Sequence, residues 1–288
     1  MPVQLQIVPL QPGLYFVATP IGAARDITLR ALDILASADV IAAEDTRTAR
    51  HLMRIHGISA GDRPVIPYHD HNGAEMRPRL IRMIAEGKSV AYASEAGTPL
   101  VADPGYQLAR DVIGAGLPVI SAPGPSAVLA ALTVSGLPTD RFLFAGFPPT
   151  AKGARKKWLA ELAEIPATLV LYESPKRVQG LLGDLVQCFG AERQAAVCRE
   201  LTKRFEEVSR GSLAELVEAY EGRSVKGEIV VLVDRAPVRT ADAASMTAAL
   251  RAALREKSVK DAAADVAEAL GLPKRQVYQA ALELEKEE

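Results

Sequence analysis

The chain has 288 residues, 24% of them charged and a formal net charge of −1, so no bulk positive field holds it to nucleic acid or to a membrane, and any such contact must come from local clusters. Hydrophobic residues make up 49%, enough for a sizeable core, and the length suggests about two domains. Two cysteines, Cys188 and Cys198, are too few for a disulfide framework and imply a reduced, cytoplasmic setting; with four scattered histidines they make no zinc pattern, and no charge-free run of roughly 20 apolar residues predicts a membrane span.

The first 13 residues carry three prolines and no basic start, and read as a loose lead-in, not a signal peptide. Leu14–Thr19 is then an apolar strand broken by Pro20-Ile21-Gly22. Asp26 is placed to cap a helix over Ile27–Ala38, with Ile27, Ala31, Ile34 and Leu35 on one face. Asp39–Ala43 is the next strand. It ends in Glu44-Asp45-Thr46-Arg47 and enters a helix that stops at Gly57, with Arg47, Arg50 and Arg54 lining one face. Val65–Tyr68 is a short strand, followed by His69-Asp70-His71-Asn72 and a helix over Ala74–Ala85. Val90–Ala93 is a buried strand that ends abruptly in Ser-Glu-Ala-Gly-Thr-Pro, and a helix follows Pro104-Gly105. Pro118–Ala122 is a further strand, stopped by Pro123-Gly124-Pro125, and Ser126 opens a helix to Ser135. Strands alternating with helices at this spacing argue for a mostly parallel sheet with right-handed crossovers.

Phe142–Phe147 reads as the last strand of this first unit, with the domain boundary at Pro148-Pro149. A basic helix start follows, with Lys152, Arg155, Lys156 and Lys157. The second unit has strands at Thr168–Tyr172, Ala195–Arg199 and Ile229–Val233, a weaker one at Glu206–Ser209, and helices over Lys176–Phe189 and Leu213–Tyr220. Its late, hairpin-like spacing predicts a mixed sheet. Ala236–Ala241 reads as a linker. The alanine-rich tail places Ala267, Gly271 and Val277 at helix-turn-helix spacing, with Lys274 and Arg275 opening the second helix; a plain helical hairpin fits the same pattern. The expected organisation is therefore α/β, with domains at 13–147 and 148–235 and a helical tail at 242–288.

Four strand-to-loop junctions carry the chemistry: Thr19–Gly22, Glu44–Arg47, Ser94–Pro99 and Ala122–Ala127. In a parallel sheet they share one edge, where open α/β folds bind ligands. None has the ending of a phosphate-binding P-loop and none is GxGxxG, so a backbone-rich site for an adenosine or amino-acid-like ligand fits better than a triphosphate site. Taken singly, each feature has a structural reading. Gly97 and Pro99 make a turn, Asp45 and Ser126 cap helices, His69 and His71 are loop residues, and the arginine stripe and the basic run Lys152–Lys157 are solvated helix faces.

Taken together, TPIG, AAEDTR, HDHN, SEAGTP with DPGY, PGPSA, YESPKR, CRELTK and KGEIV resemble the tetrapyrrole-methylase-like (class III) S-adenosylmethionine methyltransferases, in particular the branch that modifies small-subunit ribosomal RNA. The resemblance runs from about Gly13 to Asp234, and the helical tail resembles that of longer members. It implies two α/β domains with the cofactor folded between them, usually a homodimer. It also implies methyl transfer from S-adenosylmethionine to the ribose 2′-hydroxyl of a cytidine in the decoding region of 16S ribosomal RNA, free or in the assembled 30S subunit. The cofactor loops would be Pro20 and Gly22; Ser94, Glu95, Ala96, Gly97, Thr98 and Val101; and Pro123 and Ser126. The second domain would add Tyr172, Glu173, Arg199, Glu200, Gly227, Glu228 and Ile229. Two departures stand out: Glu95 where the family usually has Asp, and Ala23-Ala24 where Asn-Leu usually follows TPIG.

Transfer from a sulfonium needs no metal. The protein must align three atoms, exclude water and take one proton. Glu44, Asp45 and His69 are the candidates for the proton, and Arg47 is a candidate substrate anchor. Arg50, Arg54, Lys152, Lys156 and Lys157 are candidates for phosphate contacts that position RNA without reading its sequence. The alternatives are a tetrapyrrole C-methyltransferase on the same scaffold and a non-enzymatic RNA-binding assembly factor.

Overall fold

Five apolar runs form an all-parallel sheet in a computed structural model that describes residues 4–69, 71–236, 243–270 and 272–287. In chain order the elements are β1 (Gly13–Val17), α1 (Leu29–Ser37), β2 (Val40–Ala43), α2 (Thr46–Ile55), β3 (Val65–Pro67), α3 (Gly73–Ala85), β4 (Ser89–Ala93), α4 (Tyr106–Gly114) and β5 (Val119–Ala122). The strand order is β3-β2-β4-β1-β5. β1, β2 and β4 are buried along their whole length because helices cover both faces. Leu35 of α1 and Met53 of α2 pack with Val17 and Ile41 on one side. Leu80 of α3 and Leu108 of α4 pack with Leu14, Phe16 and Tyr92 on the other.

The helix α5 (Ala127–Ser135) joins this layer to a second sheet. Its Val128, Ala131 and Leu132 pack with Ile21 against Val170, Cys198 and Val230. The remaining elements of this unit are β6 (Phe142–Gly146), α6 (Lys152–Leu162), β7 (Thr168–Glu173), α7 (Val178–Phe189), β8 (Gln194–Arg199), β9 (Glu207–Ser212), α8 (Leu213–Tyr220) and β10 (Ile229–Val233). The second sheet runs β6-β7-β10-β8-β9. Only its β6–β7 pair is parallel, so the sheet is mixed as expected. Both sheets belong to one compact unit ending at Arg235. No described helix is long and apolar enough to cross a membrane.

Three expectations are corrected. Phe142–Gly146 is not the last strand of the first sheet but an edge of the second, pairing with β7, so the chain changes sheets after α5 rather than at Pro148-Pro149. The first helix is capped by Thr28, whose hydroxyl accepts from the Ala31 amide at 3.1 Å, and not by Asp26. Arg155 does not belong to a solvated basic face: it is buried and ion-paired with Asp184, its Nε at 2.8 Å and Nη2 at 2.6 Å from Oδ2.

The tail forms a unit of its own, with α9 (Ala243–Leu254), α10 (Val259–Leu270) and α11 (Lys274–Glu287). Leu250, Val266, Ala267, Leu272 and Val277 make its core. Ala267 and Val277 are buried as a helix-turn-helix requires, and Lys274 and Arg275 are exposed at the start of α11. Gly271 of the turn, Asp70 of the His69–Asn72 run, and the linker from residue 237 onward lie outside the described residues.

Candidate functional site

The loops after β4, β1 and β5 are neighbours because those strands are neighbours, and they are stitched together by backbone bonds. The Thr19 amide donates to the Gly97 carbonyl at 2.9 Å, and the Gly97 amide returns the bond at 3.0 Å. The Ser94 hydroxyl donates to the Gly97 carbonyl, and the Thr98 hydroxyl donates to the Pro125 carbonyl at 2.9 Å. Gly97 has φ +82°, a left-handed conformation that suits glycine. Two non-glycine residues just beyond it, Leu100 (φ 72°) and Ala102 (φ 58°), are also left-handed, so this loop is held in a sparsely populated shape.

These loops face the ends of β7, β8 and β10 across a cavity of about 390 Å³, well within the range of small-molecule sites. Of the residues expected to hold a cofactor, Ala96, Gly97, Thr98, Val101 and Ser126 line it from the first sheet, and Tyr172, Glu173, Gly227, Glu228 and Ile229 from the second. Apolar residues such as Ile21, Val101, Phe147, Leu201 and Val230 share the lining with polar ones, among them Thr98, Asp103, Ser126, Tyr172, Glu173 and Glu228. Glu173 is 3% exposed; its Oε1 accepts from the Ser174 amide and Arg177, while Oε2 has no hydrogen-bond partner among the described residues. Burial, and then the charge of Asp103, push the Tyr172 phenol up to about 12, so it remains an O–H donor.

The other expected residues do not line this cavity. Ser94 is buried and spends its hydroxyl within the loop. Gly22 is packed so closely on Thr202 and Lys203 that a Cβ would sit 2.5 Å from Lys203 Cγ. Pro20 is half-buried, while Pro123 and Glu95 are exposed. Glu200 accepts from Lys203 Nζ and from the Glu228 amide, each at 3.0 Å. Arg199 is tied to Glu207 (Nε 3.1 Å, Nη2 2.9 Å), which Arg223 also grips from Nη1 at 2.7 Å and Nη2 at 2.6 Å.

That last cluster sets a pH dependence. The Arg223 and Arg199 guanidinium groups hold the Glu207 carboxyl at about 2, well below the unfolded carboxylate range. The depressed folded value means that the stabilisation is present above the unfolded pKa and lost as pH falls through about 2. Thermal unfolding followed from pH 6 to 2 should therefore show a smaller acid loss in Glu207→Gln than in the wild type. Identical acid slopes would mean that this cluster contributes nothing.

The candidates for the proton are not in the main cavity. Asp45 caps α2, accepting from the Arg47 amide at 2.7 Å, and pairs with the Arg47 guanidinium at 3.3 and 3.0 Å. Those bonds hold its carboxyl at about 2, too weak a base for a hydroxyl near neutrality. Glu44 is half-buried at the end of β2. The His69 amide is fixed by Asn72 Oδ1 at 2.9 Å, and its Nδ1 is buried without a hydrogen-bond partner among the described residues. The sequence reading missed Asp103, Phe147, Cys198 and Leu201, which all line the cavity. Asp103 carried a signal as the acid of the DPGY motif, and Cys198 and Leu201 lie in CRELTK. Among the described residues, no group of three or more His, Cys, Asp or Glu is arranged to hold a metal ion.

The basic residues lie elsewhere on the same unit. Arg47, Arg50 and Arg54 border a groove of about 480 Å³ with His51 and Gly57–Ala60. Arg54 Nη2 lies 2.9 Å from His51 Nδ1. On α6, Lys152 and Lys157 are exposed, while Lys156 Nζ lies 4.0 Å from Asp184 Oδ1.

Residues 13–217 match the family model described as tetrapyrrole (corrin/porphyrin) methylases, and residues 240–285 match the RsmI C-terminal HTH domain. The chain is 48% identical over 277 residues to a ribosomal RNA small subunit methyltransferase I of Mesorhizobium japonicum, covering 96% of this chain and 93% of that one. It is 45% identical over 275 residues to the protein of that name from Mycobacterium tuberculosis, covering 94% of each. Among solved structures it is similar to a uroporphyrin-III C-methyltransferase of Thermus thermophilus, with a TM-score of 0.55, 24% identity and coverage of 78% of this chain and 94% of that one. Another structure of the Thermus enzyme, in complex with S-adenosylhomocysteine, gives a TM-score of 0.54 at 22% identity and covers 76% of this chain and 96% of that one. These two share the fold.

Proposed function

The chain belongs to the tetrapyrrole (corrin/porphyrin) methylase family and, within it, to the ribosomal RNA small subunit methyltransferases I, and on that premise we propose that it transfers a methyl group from S-adenosylmethionine to the ribose 2′-hydroxyl of a cytidine in the decoding region of 16S ribosomal RNA. The observation that carries the reading is the cavity of about 390 Å³ walled by residues of SEAGTP and PGPSA on one side and by Tyr172, Glu173 and Gly227 on the other. Its donor set fits the cofactor. The apolar residues of the lining suit an adenine ring, and the Glu173 oxygen without a partner among the described residues suits a hydroxyl or ammonium donor.

When bound, S-adenosylmethionine supplies an activated methyl group on a sulfonium. The chain's share is positioning. Gly97 and Gly227, both at positive φ, shape the two walls, Gly227 leaving room for the Glu200 side chain, and Thr98 holds the two first-sheet loops together. Arg47, Arg50 and Arg54 with their groove, Lys152 and Lys157, and the basic start of α11 are assigned to the RNA phosphates. A homodimer in the cytoplasm, acting on ribosomal RNA or the 30S subunit, completes the proposal. The two alternatives are not favoured: a helix-turn-helix tail is foreign to a tetrapyrrole substrate, and a pure binder needs no cofactor cavity.

S-adenosylhomocysteine at 100 times its dissociation constant should stabilise the protein by about 2.7 kcal/mol, read as a thermal shift of several degrees. No shift at saturating S-adenosylmethionine or S-adenosylhomocysteine would remove the reading.

A further inference from the structure

Resting on the methyl-transfer reading above, we propose that Asp103 is the catalytic base that accepts the 2′-hydroxyl proton. Asp103 lines the cofactor cavity and also a second cavity of about 290 Å³, whose walls include Tyr68, Arg77 and Tyr106. It is shared by both, which puts one carboxylate where the methyl donor and an entering nucleoside meet. Its Oδ2 is buried and has no hydrogen-bond partner among the described residues. A buried oxygen with an unmet hydrogen bond is complementary to an incoming hydroxyl. The left-handed Leu100 and Ala102 aim the residue from a loop whose shape is not the relaxed one.

The charged and titratable groups around it are Glu44 at the end of β2, Glu95 after β4, Tyr172 and Glu173 on β7, Glu228 before β10, Arg77 on α3, and Tyr68 and Tyr106 of the second cavity. Arg77 is engaged by Asp111 Oδ2 at 3.0 Å and is not given over to Asp103. Burial first, then the charges of Glu44 and Glu95, push the Asp103 carboxyl up to about 7. That is strong enough to take a proton from a hydroxyl as the new bond forms, and it is ionised above neutrality.

The ribose oxygen forms a bond to the methyl carbon while its proton passes to Asp103. The carbon–sulfur bond breaks and its electron pair stays on sulfur, giving the neutral thioether. The protonated carboxyl then returns its proton to water.

Two measurements test this. Carboxyl-carbon NMR of the S-adenosylhomocysteine complex, with the Asp103 signal identified by its absence in Asp103→Asn, should show one carboxyl titrating near pH 7; titration of Asp103 in the ordinary carboxylate range would overturn the proposal. Asp103→Asn should keep S-adenosylhomocysteine affinity within about threefold, lose about 10²–10⁴ in kcat, and lose the rising limb of kcat/KM near neutrality. A variant that keeps more than a third of wild-type kcat, or whose loss follows its loss of cofactor affinity, would overturn it equally. Absence of methyl transfer to small-subunit RNA by the wild type, with cofactor binding and the high titration intact, would remove the RNA reading while leaving Asp103 a poised base for another hydroxyl acceptor.

Discussion

Asp184→Ala is expected to cost about 3–5 kcal/mol of folding stability, because it strands a buried guanidinium. Asp184 is 2% exposed and Arg155 is 7% exposed, so neither side chain has water to replace its partner. Arg155 Nε and Nη2 lie 2.8 and 2.6 Å from Asp184 Oδ2, and the pair pins α6 to α7 beside the core of the second sheet. For a unit of this size the loss corresponds to a melting point lower by about 6–20 °C. Urea unfolding should place it in the midpoint, with little change in slope. The paired replacement Arg155→Met with Asp184→Leu should recover most of the loss, since the desolvation of both charges disappears together. A single-variant cost below about 1 kcal/mol would mean that the ion pair is not buried as described.

Gly97→Val is expected to weaken S-adenosylhomocysteine binding by about 100-fold or more, since a rigid, well-placed wall is lost. The position has φ +82°, where a β-branched side chain is strained by about 1–3 kcal/mol. A Cβ there would stand 3.3 Å from Ile21 Cγ2, which is tight, and the loop could relax only by loosening its two backbone bonds to Thr19. Both Ile21 and Gly97 line the cavity, so any relaxation moves its wall. Calorimetric titration of a variant shown to be folded by circular dichroism checks this. Affinity within about threefold of wild type would show that this loop does not shape the site.

Much of the first sheet is legible in the chain because its strands are short apolar runs separated by helix-length segments, and β1, β2 and β4 are buried along their whole length. The strand Phe142–Gly146 was placed in the wrong sheet for a related reason: pairing partners are a tertiary property, and an apolar run looks the same in either sheet. Arg155 looked solvated because its partner, Asp184, is 29 residues away. Thr28 displaced Asp26 as a cap because the turn at Ala23–Asp26, closed by the Asp26 amide on the Ala23 carbonyl at 2.9 Å, finishes before the helix begins.

The cofactor loops are legible as motifs, yet motifs do not say which residues face the ligand. Ser94, Arg199 and Glu200 belong to the same motifs as cavity residues, but Ser94 bonds within its own loop, Arg199 pairs with Glu207 of β9, and Glu200 accepts from the Glu228 amide. Asp103 is the reverse case. DPGY marks its position but not its character, which comes from burial, from Glu95 in the same loop, and from Glu44, which the sheet order brings near.

Methyl transfer to a ribose of small-subunit RNA is read by incubating the purified protein with methyl-labelled S-adenosylmethionine and small ribosomal subunits from cells lacking it, and mapping the label. Label is expected on a single cytidine of the decoding region, as a 2′-O-methyl group resistant to alkaline cleavage. Label on a base, or none in the RNA while the cofactor is bound, would contradict it.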